Sequence, residues 1–185
     1  MKNVIVLLAD GFEEVEAITP IDYLRRAGIE VVTASISENT TVTGRWTGIK
    51  VIANTVLSEI VNQNQDFDAV IVPGGIPGAE KIASSKEAGE LLKSMAAAGK
   101  VIAAICASPV LVLAPLGIIS GRKFTCYPGM EEKTNEGKWS SDRVIVDGNI
   151  ITSRGAGTAG EWSIAIIGKL LDEAAGKKIA ETCLL

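Results

Sequence analysis

The segment KVIAAICASPVLVLAPLGII, Lys100 to Ile119, decides the fold. Val101 to Ile105 is a short apolar run without polar alternation, the pattern of a strand covered on both faces. Cys106 follows, and the chain then reads as a helix toward Ile119. The 19 residues from Val101 to Ile119 carry no charge and approach the length of a membrane span. Ser108, Pro109, Pro115 and Gly117 divide them, however, and a buried strand joined to a short buried helix explains them better.

Outward from this joint the same alternation recurs. Lys2 to Ala9 is a second buried strand, turned by Asp10-Gly11 into a helix over Phe12 to Ala27 that Gly28 ends. Its apolar stripe is read as Phe12, Val15, Ile18 and Ile21/Leu24, with Glu13 and Glu14 complementing its N-terminus. Ile29 to Ser35 is the next strand, so the chain opens with a βαβ unit. Asp66 to Pro73 is another strand, ending at Gly74-Gly75 before a helix from Ala79 to Ala98. Arg122 to Cys126 reads as a short strand, and Arg143 to Ser153 as a hairpin turning at Asp147-Gly148. A long helix over Gly157 to Ala175 follows. Strands alternating with helices give an α/β sandwich around a mostly parallel sheet, in a single domain over 1–185.

Composition narrows the function. The 185 residues are 47% hydrophobic, 22% charged and only 4% aromatic, so the core is aliphatic. A net charge of −4 without a basic run argues against nucleic acid and against an anionic membrane as partner. The apolar run Val4 to Ala9 is too short for a signal peptide, and Glu13 and Glu14 follow it closely. Three cysteines without paired spacing suit a reducing compartment, so a cytoplasmic location is expected.

Ligands of such sheets bind at the carboxyl ends of the strands, where the loops Asp10–Glu16, Gly74–Gly78 and Cys106–Ser108 should converge. A thiol between a strand end and a helix start faces backbone amides and a positive dipole end, both of which favour thiolate. Cys106 is therefore the candidate nucleophile or redox thiol. The chain contains no histidine, so any base must be something else. Glu16 is the carboxylate placed to reach the thiol, as hydrogen-bond donor when protonated and as base when ionised. The amides of Gly75 and Ala107 form a candidate oxyanion pocket, Gly75 allowing close backbone approach. Gly74, Arg154 and Cys126 are accessory candidates. Gly155, Gly157 and Gly160 spell the dinucleotide pattern, but their strand belongs to a hairpin and no acid ends a following strand. They are read instead as glycines that let a loop pack near the site. No cofactor and no metal are expected.

Four stretches, ADGFEEVEAITPIDYLRRAGIEV (9–31), DAVIVPGGIPGAEKI (68–82), AAICASPVLVLAPLGII (103–119) and ITSRGAGTAGEWSIAIIGKLL (151–171), together resemble the ThiJ/PfpI superfamily, DJ-type, in the branch of the parkinsonism-associated protein deglycase. The resemblance implies a flavodoxin-like three-layer sandwich of class I glutamine amidotransferase type and a homodimer. It places the reactive cysteine on Cys106, its glutamate on Glu16 and the oxyanion amides on Gly75 and Ala107. It implies a stress-response protein acting on small aldehydes or dicarbonyls, of glyoxalase or deglycase type (a lyase or hydrolase). The alternatives it brings are a peroxide sensor, a chaperone, a role in thiazole monophosphate biosynthesis, or a peptidase. Many relatives carry a histidine after the short strand, where this chain has Cys126. That departure weakens the peptidase reading most, because amide cleavage needs a proton donor for its leaving group. If Cys126 lies near Cys106, it could resolve a sulfenic acid.

Overall fold

A computed structural model describes residues 1–185. Eleven strands form: β1 Asn3–Leu8, β2 Glu30–Ser35, β3 Thr41–Thr43, β4 Lys50–Ile52, β5 Thr55–Val56, β6 Ala69–Val72, β7 Val101–Ile105, β8 Lys123–Phe124, β9 Lys138–Trp139, β10 Val144–Asp147 and β11 Ile150–Ser153. The α-helices are α1 Glu14–Arg26, α2 Leu57–Asn62, α3 Gly78–Ser84, α4 Lys86–Ala97, α5 Ala159–Leu170 and α6 Glu173–Thr182.

Seven strands make the central sheet in the order β10-β11-β7-β6-β1-β2-β5, parallel except for the β10–β11 hairpin. Its strands are apolar throughout because both faces are covered. Val4, Val6 and Leu8 point into one core with Ala17 and Leu24 of α1 and Trp162 and Ile166 of α5. Ile5 and Leu7 point into the other, with Ile60 of α2, Ile82 of α3 and Leu92 of α4. This period-two split is the signature of a three-layer α/β sandwich. The fold is the flavodoxin-like one expected from the sequence.

Several local expectations change. Val15 and Ile18 are exposed, whereas Glu14 and Glu16 are buried. The first helix therefore turns acids inward at its N-terminal end, against the apolar stripe that its hydrophobic spacing suggested. The helix expected over 79–98 is two, broken at Ser85, whose side chain caps α4 by accepting from the Ala88 amide. The long helix expected over 157–175 is likewise α5 and α6, separated at Asp172, which caps α6. The expected strand 122–126 shrinks to β8, which pairs with β9 outside the main sheet. After Cys106 the chain forms a five-residue π-helix, Pro109–Leu113, rather than a longer α-helix. No helix is long and apolar enough to cross a membrane.

Candidate active site

The carboxyl ends of β1, β6, β7 and β11 meet at one place, as the topology requires. The three expected loops are bolted together there by backbone bonds. The Glu13 amide donates to the Gly74 carbonyl at 3.0 Å and the Gly78 amide to the Gly11 carbonyl at 3.2 Å. The Ser108 hydroxyl donates to the Pro73 carbonyl at 2.6 Å. Two glycines permit this closeness. A Cβ at Gly74 would sit 2.5 Å from a Glu16 carboxyl oxygen and 2.6 Å from Cys106 Cβ. One at Gly75 would meet the Glu13 nitrogen at 2.5 Å, and Gly75 has φ +89.

Cys106 stands on the turn between β7 and the π-helix with φ 64, a left-handed conformation that costs a non-glycine residue about 1–2 kcal/mol. Backbone bonds on both sides hold it: its amide donates to the Ser153 carbonyl and its carbonyl accepts from the Tyr127 amide, each at 2.9 Å. A strained residue at a strand-to-helix turn is the backbone geometry of a nucleophile elbow. The amides of Gly75 and Ala107 face the sulfur and draw its pKa down, and the Glu16 side chain lies beside it. A cleft of about 380 Å³ opens onto it, lined by Arg45, Trp46, Ile76, Tyr127 and Met130.

Glu16 is 1% exposed. One carboxyl oxygen accepts from the Gly74 amide at 2.9 Å, and the Ala156 amide is a second donor to the group. Burial first, and then the negative charge of Glu13, push Glu16 up to about 8, against the pull of Cys106 and the two amides. At neutral pH the carboxyl therefore keeps its proton. Glu13 is in place for a structural reason: it caps α1, accepting from the Glu16 amide at 2.7 Å.

The thiol differs from expectation. Burial first, then the charge and hydrogen bond of a Glu16 carboxylate, push Cys106 up to about 12, whereas the Gly75 and Ala107 amides draw it down. Position at a strand end alone thus does not favour thiolate. A short π-helix adds little dipole, and the burial is substantial. After burial, the state of Glu16 bears most on the balance. A protonated carboxyl removes the opposing charge and offers an O–H to the sulfur beside the two amides.

The remaining candidates separate. Gly74 belongs to the centre through its bond to Glu16. Arg154 donates to the Ser141 carbonyl at 3.3 Å, and its positive charge bears on Cys126 rather than on Cys106. Cys126 is 1% exposed beside Glu131. Gly155, of the G-x-G-x-x-G run, lies 3.8 Å (as a built Cβ) from a Glu16 carboxyl oxygen, in the loop whose Ala156 amide binds that group. Of these glycines Gly155 lies beside the glutamate, whereas Gly160 lies against Leu185. No three His, Cys, Asp or Glu side chains converge as metal ligands would.

Sequence reading missed the cleft walls. Arg45 and Trp46 sit on the β3–β4 hairpin, with the guanidinium 4.3 Å from the indole ring. Buried Glu14 anchors that loop by accepting from the Trp46 and Thr47 amides at 3.1 Å and from the Thr47 hydroxyl at 3.0 Å. A tryptophan between glycines 44 and 48 in an aromatic-poor chain was the available signal.

The raised pKa of Glu16 has a consequence for stability. A carboxyl at about 8 in the folded chain against 4.5 unfolded stabilises fully below 4.5 and loses that contribution as pH rises through 8. In a Cys106→Ser background, where Glu16 alone of the pair titrates, adding Glu16→Gln should therefore raise stability increasingly from pH 5 to pH 9. The gain should reach on the order of a few kcal/mol. Urea unfolding across that range checks this, and a pH-independent difference would contradict the assignment.

The family model described as "DJ-1/PfpI family" matches residues 2–169. Protein DJ-1 homolog B of Arabidopsis thaliana is 38% identical over 183 residues, covering 99% of this chain and 41% of the plant protein. The chain thus spans about two fifths of the length of its Arabidopsis relatives. Glutathione-independent glyoxalase DJR-1.2 of Caenorhabditis elegans is 36% identical over 169 residues, covering 90% of this chain and 87% of the worm protein. The solved structure described as "Toxoplasma gondii DJ-1, oxidized" has a TM-score of 0.95 at 38% identity, covering 100% of this chain and 98% of that one. On the family model and the near full-length match to the worm protein, this chain belongs to the DJ-1/PfpI family.

Proposed function

We propose that the protein is a cysteine-dependent stress-response enzyme of reducing compartments such as the cytoplasm, converting small dicarbonyls by a glyoxalase or deglycase type of reaction. The observation that carries this reading is the convergence of the Gly75 and Ala107 amides and the Glu16 carboxyl on one sulfur. The cleft beside it is small and open, as an aldehyde substrate needs. A relative 36% identical bears the name glutathione-independent glyoxalase, in keeping with this chemistry.

In the proposed cycle Glu16 holds a proton and hydrogen-bonds the Cys106 thiolate. The sulfur attacks the aldehyde carbon, and the new oxyanion takes a proton from Glu16. The amides of Gly75 and Ala107 steady the developing charge. The Glu16 carboxylate then removes the hydrogen from that carbon and returns it to the adjacent ketone carbon, while the hydroxyl proton passes to the former ketone oxygen, leaving a 2-hydroxy thioester that water hydrolyses. The aldehyde carbon is oxidised and its neighbour reduced, so no external electron carrier is needed. A group titrating near 8 suits both giving and taking a proton near neutrality. No imidazole is required, because a thiol adds to an aldehyde without expelling a poor leaving group.

A second reading, a peroxide-responsive sensor or chaperone acting through Cys106 oxidation, is favoured by the same donors, which can stabilise an oxidised sulfur as well as a thiolate. We also propose that the partner beyond the small substrate is a second copy of this chain. Val15 and Ile18 on α1 and Ile52 on β4 are exposed aliphatic residues. Ile18 and Ile52 line one shallow groove.

Purified protein supplied with methylglyoxal should form lactate. Cys106→Ala should lower kcat/KM by about 10³-fold or more and Glu16→Gln by about 10²-fold or more; an equally active Cys106→Ala protein contradicts the enzyme reading. One equivalent of peroxide added in the presence of excess dimedone should label Cys106 ahead of Cys126 and Cys183, whereas equal labelling contradicts a tuned thiol. Sedimentation velocity should show a dimer that Ile18→Glu converts to monomer; a monomeric native protein contradicts self-association.

A further inference from the structure

Cys126 is a second thiol within reach of the elbow, and the dicarbonyl reaction leaves it unused. The Tyr127 amide, bonded to the Cys106 carbonyl at 2.9 Å, fixes the spacing between the two cysteines. In a trans peptide the amide hydrogen lies on the same side as the preceding Cα, so Cys126 Cα stands nearly at right angles to that bond. With about 2.4 Å from Cys126 Cα to the Tyr127 nitrogen and from Cys106 Cα to its own oxygen, the two Cα atoms are roughly 6 Å apart or less. That lies within the span a disulfide bridges, about 4.4–6.8 Å.

Cys126 belongs to a core cluster with Ala107, Val110 and Met130, and Cys106, at the carboxyl edge of the sheet between the two cores, packs against that cluster as well as the other. Cys126 is buried, and its thiol donates to the Glu131 carboxylate at 3.9 Å. Glu131 is held in place by the Gly129 amide, from which it accepts at 2.8 Å. The segment is pinned on its other side, where the Thr125 amide donates to Thr152 Oγ1 at 2.9 Å.

We propose that Cys126 resolves a Cys106 sulfenic acid as an intramolecular disulfide, with the Glu131 carboxylate as the base that takes its proton. The inference rests on the reading of Cys106 as the reactive thiol. In the first step the Cys106 thiolate attacks a hydroperoxide and the O–O bond breaks. The sulfur is oxidised to the sulfenic acid, and the peroxide is reduced to an alcohol or water. In the second step Cys126 gives its proton to Glu131 and attacks the Cys106 sulfur. An S–S bond forms, the S–O bond breaks, and hydroxide leaves to be protonated to water. An external dithiol, such as a thioredoxin-like protein or dithiothreitol, then reduces the bridge and returns both thiols. This gives the protein a peroxide-consuming cycle in addition to dicarbonyl conversion, and it protects Cys106 from irreversible oxidation.

The test treats the full chain with one equivalent of hydrogen peroxide, with and without dimedone, followed by non-reducing peptide mass mapping. The native protein should yield a Cys106–Cys126 cross-linked peptide, reversed by dithiothreitol. Cys126→Ala and Cys126→Ser should instead accumulate the Cys106 sulfenic acid and pass to the sulfinic acid. Glu131→Gln should slow appearance of the cross-link at neutral pH by about tenfold or more, and the deficit should shrink as pH rises and the thiol ionises without a base, a pH profile that a structural role for Glu131 would not give. If native Cys106 is trapped by dimedone yet passes to the sulfinic acid as fast as in Cys126→Ala, the inference is overturned while the reactive-thiol reading stands. If Cys106 is not oxidised ahead of the other cysteines, that reading falls and the inference falls with it.

Discussion

A carboxyl group almost wholly shut off from water, hydrogen-bonded to a sulfur and two backbone amides, is the interaction on which the site depends. Burying Glu16 is costly for its anion and tolerable for its neutral form. The neighbouring Glu13, required as the cap of α1, makes the anion costlier still. On our proposal the pair does what an imidazole does elsewhere. It holds a proton near neutrality at a fixed place beside the nucleophile, and it does so in a chain without histidine.

The scaffold supplies this arrangement through close packing of loops. Gly74 and Gly75 let β6 end against both Glu16 and the start of α1, closer than any side chain would allow. The left-handed Cys106 is locked by bonds to β11 and to Tyr127, so its strain is borne by the sheet and by the loop over it. Those same constraints place a second cysteine nearby. One backbone hydrogen bond thus serves the shape of the elbow and, on our proposal, its redox chemistry.

Much of the fold could be read from residue order. Continuous apolar runs at β1, β6 and β7 announced strands covered on both faces, and the loops at their carboxyl ends were the ones that meet. Cys106, Glu16, Gly74, Gly75 and Ala107 come together as their positions suggested. Helix boundaries were less legible, because Ser85 and Asp172 act as caps inside stretches whose hydrophobic spacing runs on unbroken. The inward face of α1 was misread, since the aliphatic Val15 and Ile18 turn outward and the acids inward, an inversion that hydrophobic spacing cannot reveal. The Arg45–Trp46 loop reaches the cleft through its distant anchor on Glu14, so only the tryptophan between two glycines marked it, whereas Glu131 meets Cys126 through a local turn that carries no pattern of its own. The proton balance of the thiol was invisible as well: it depends on how deeply the sulfur and Glu16 are buried together.

The location of one proton decides the account. Infrared difference spectroscopy of the Glu16 carboxyl band, recorded with ultraviolet detection of thiolate between about pH 5 and pH 10, measures it directly in the native protein and in Glu16→Gln. The account predicts a protonated Glu16 coexisting with a Cys106 thiolate at neutral pH, and a thiolate transition that moves upward when Glu16 is replaced. A Glu16 carboxylate beside a fully protonated Cys106 at neutral pH would contradict it.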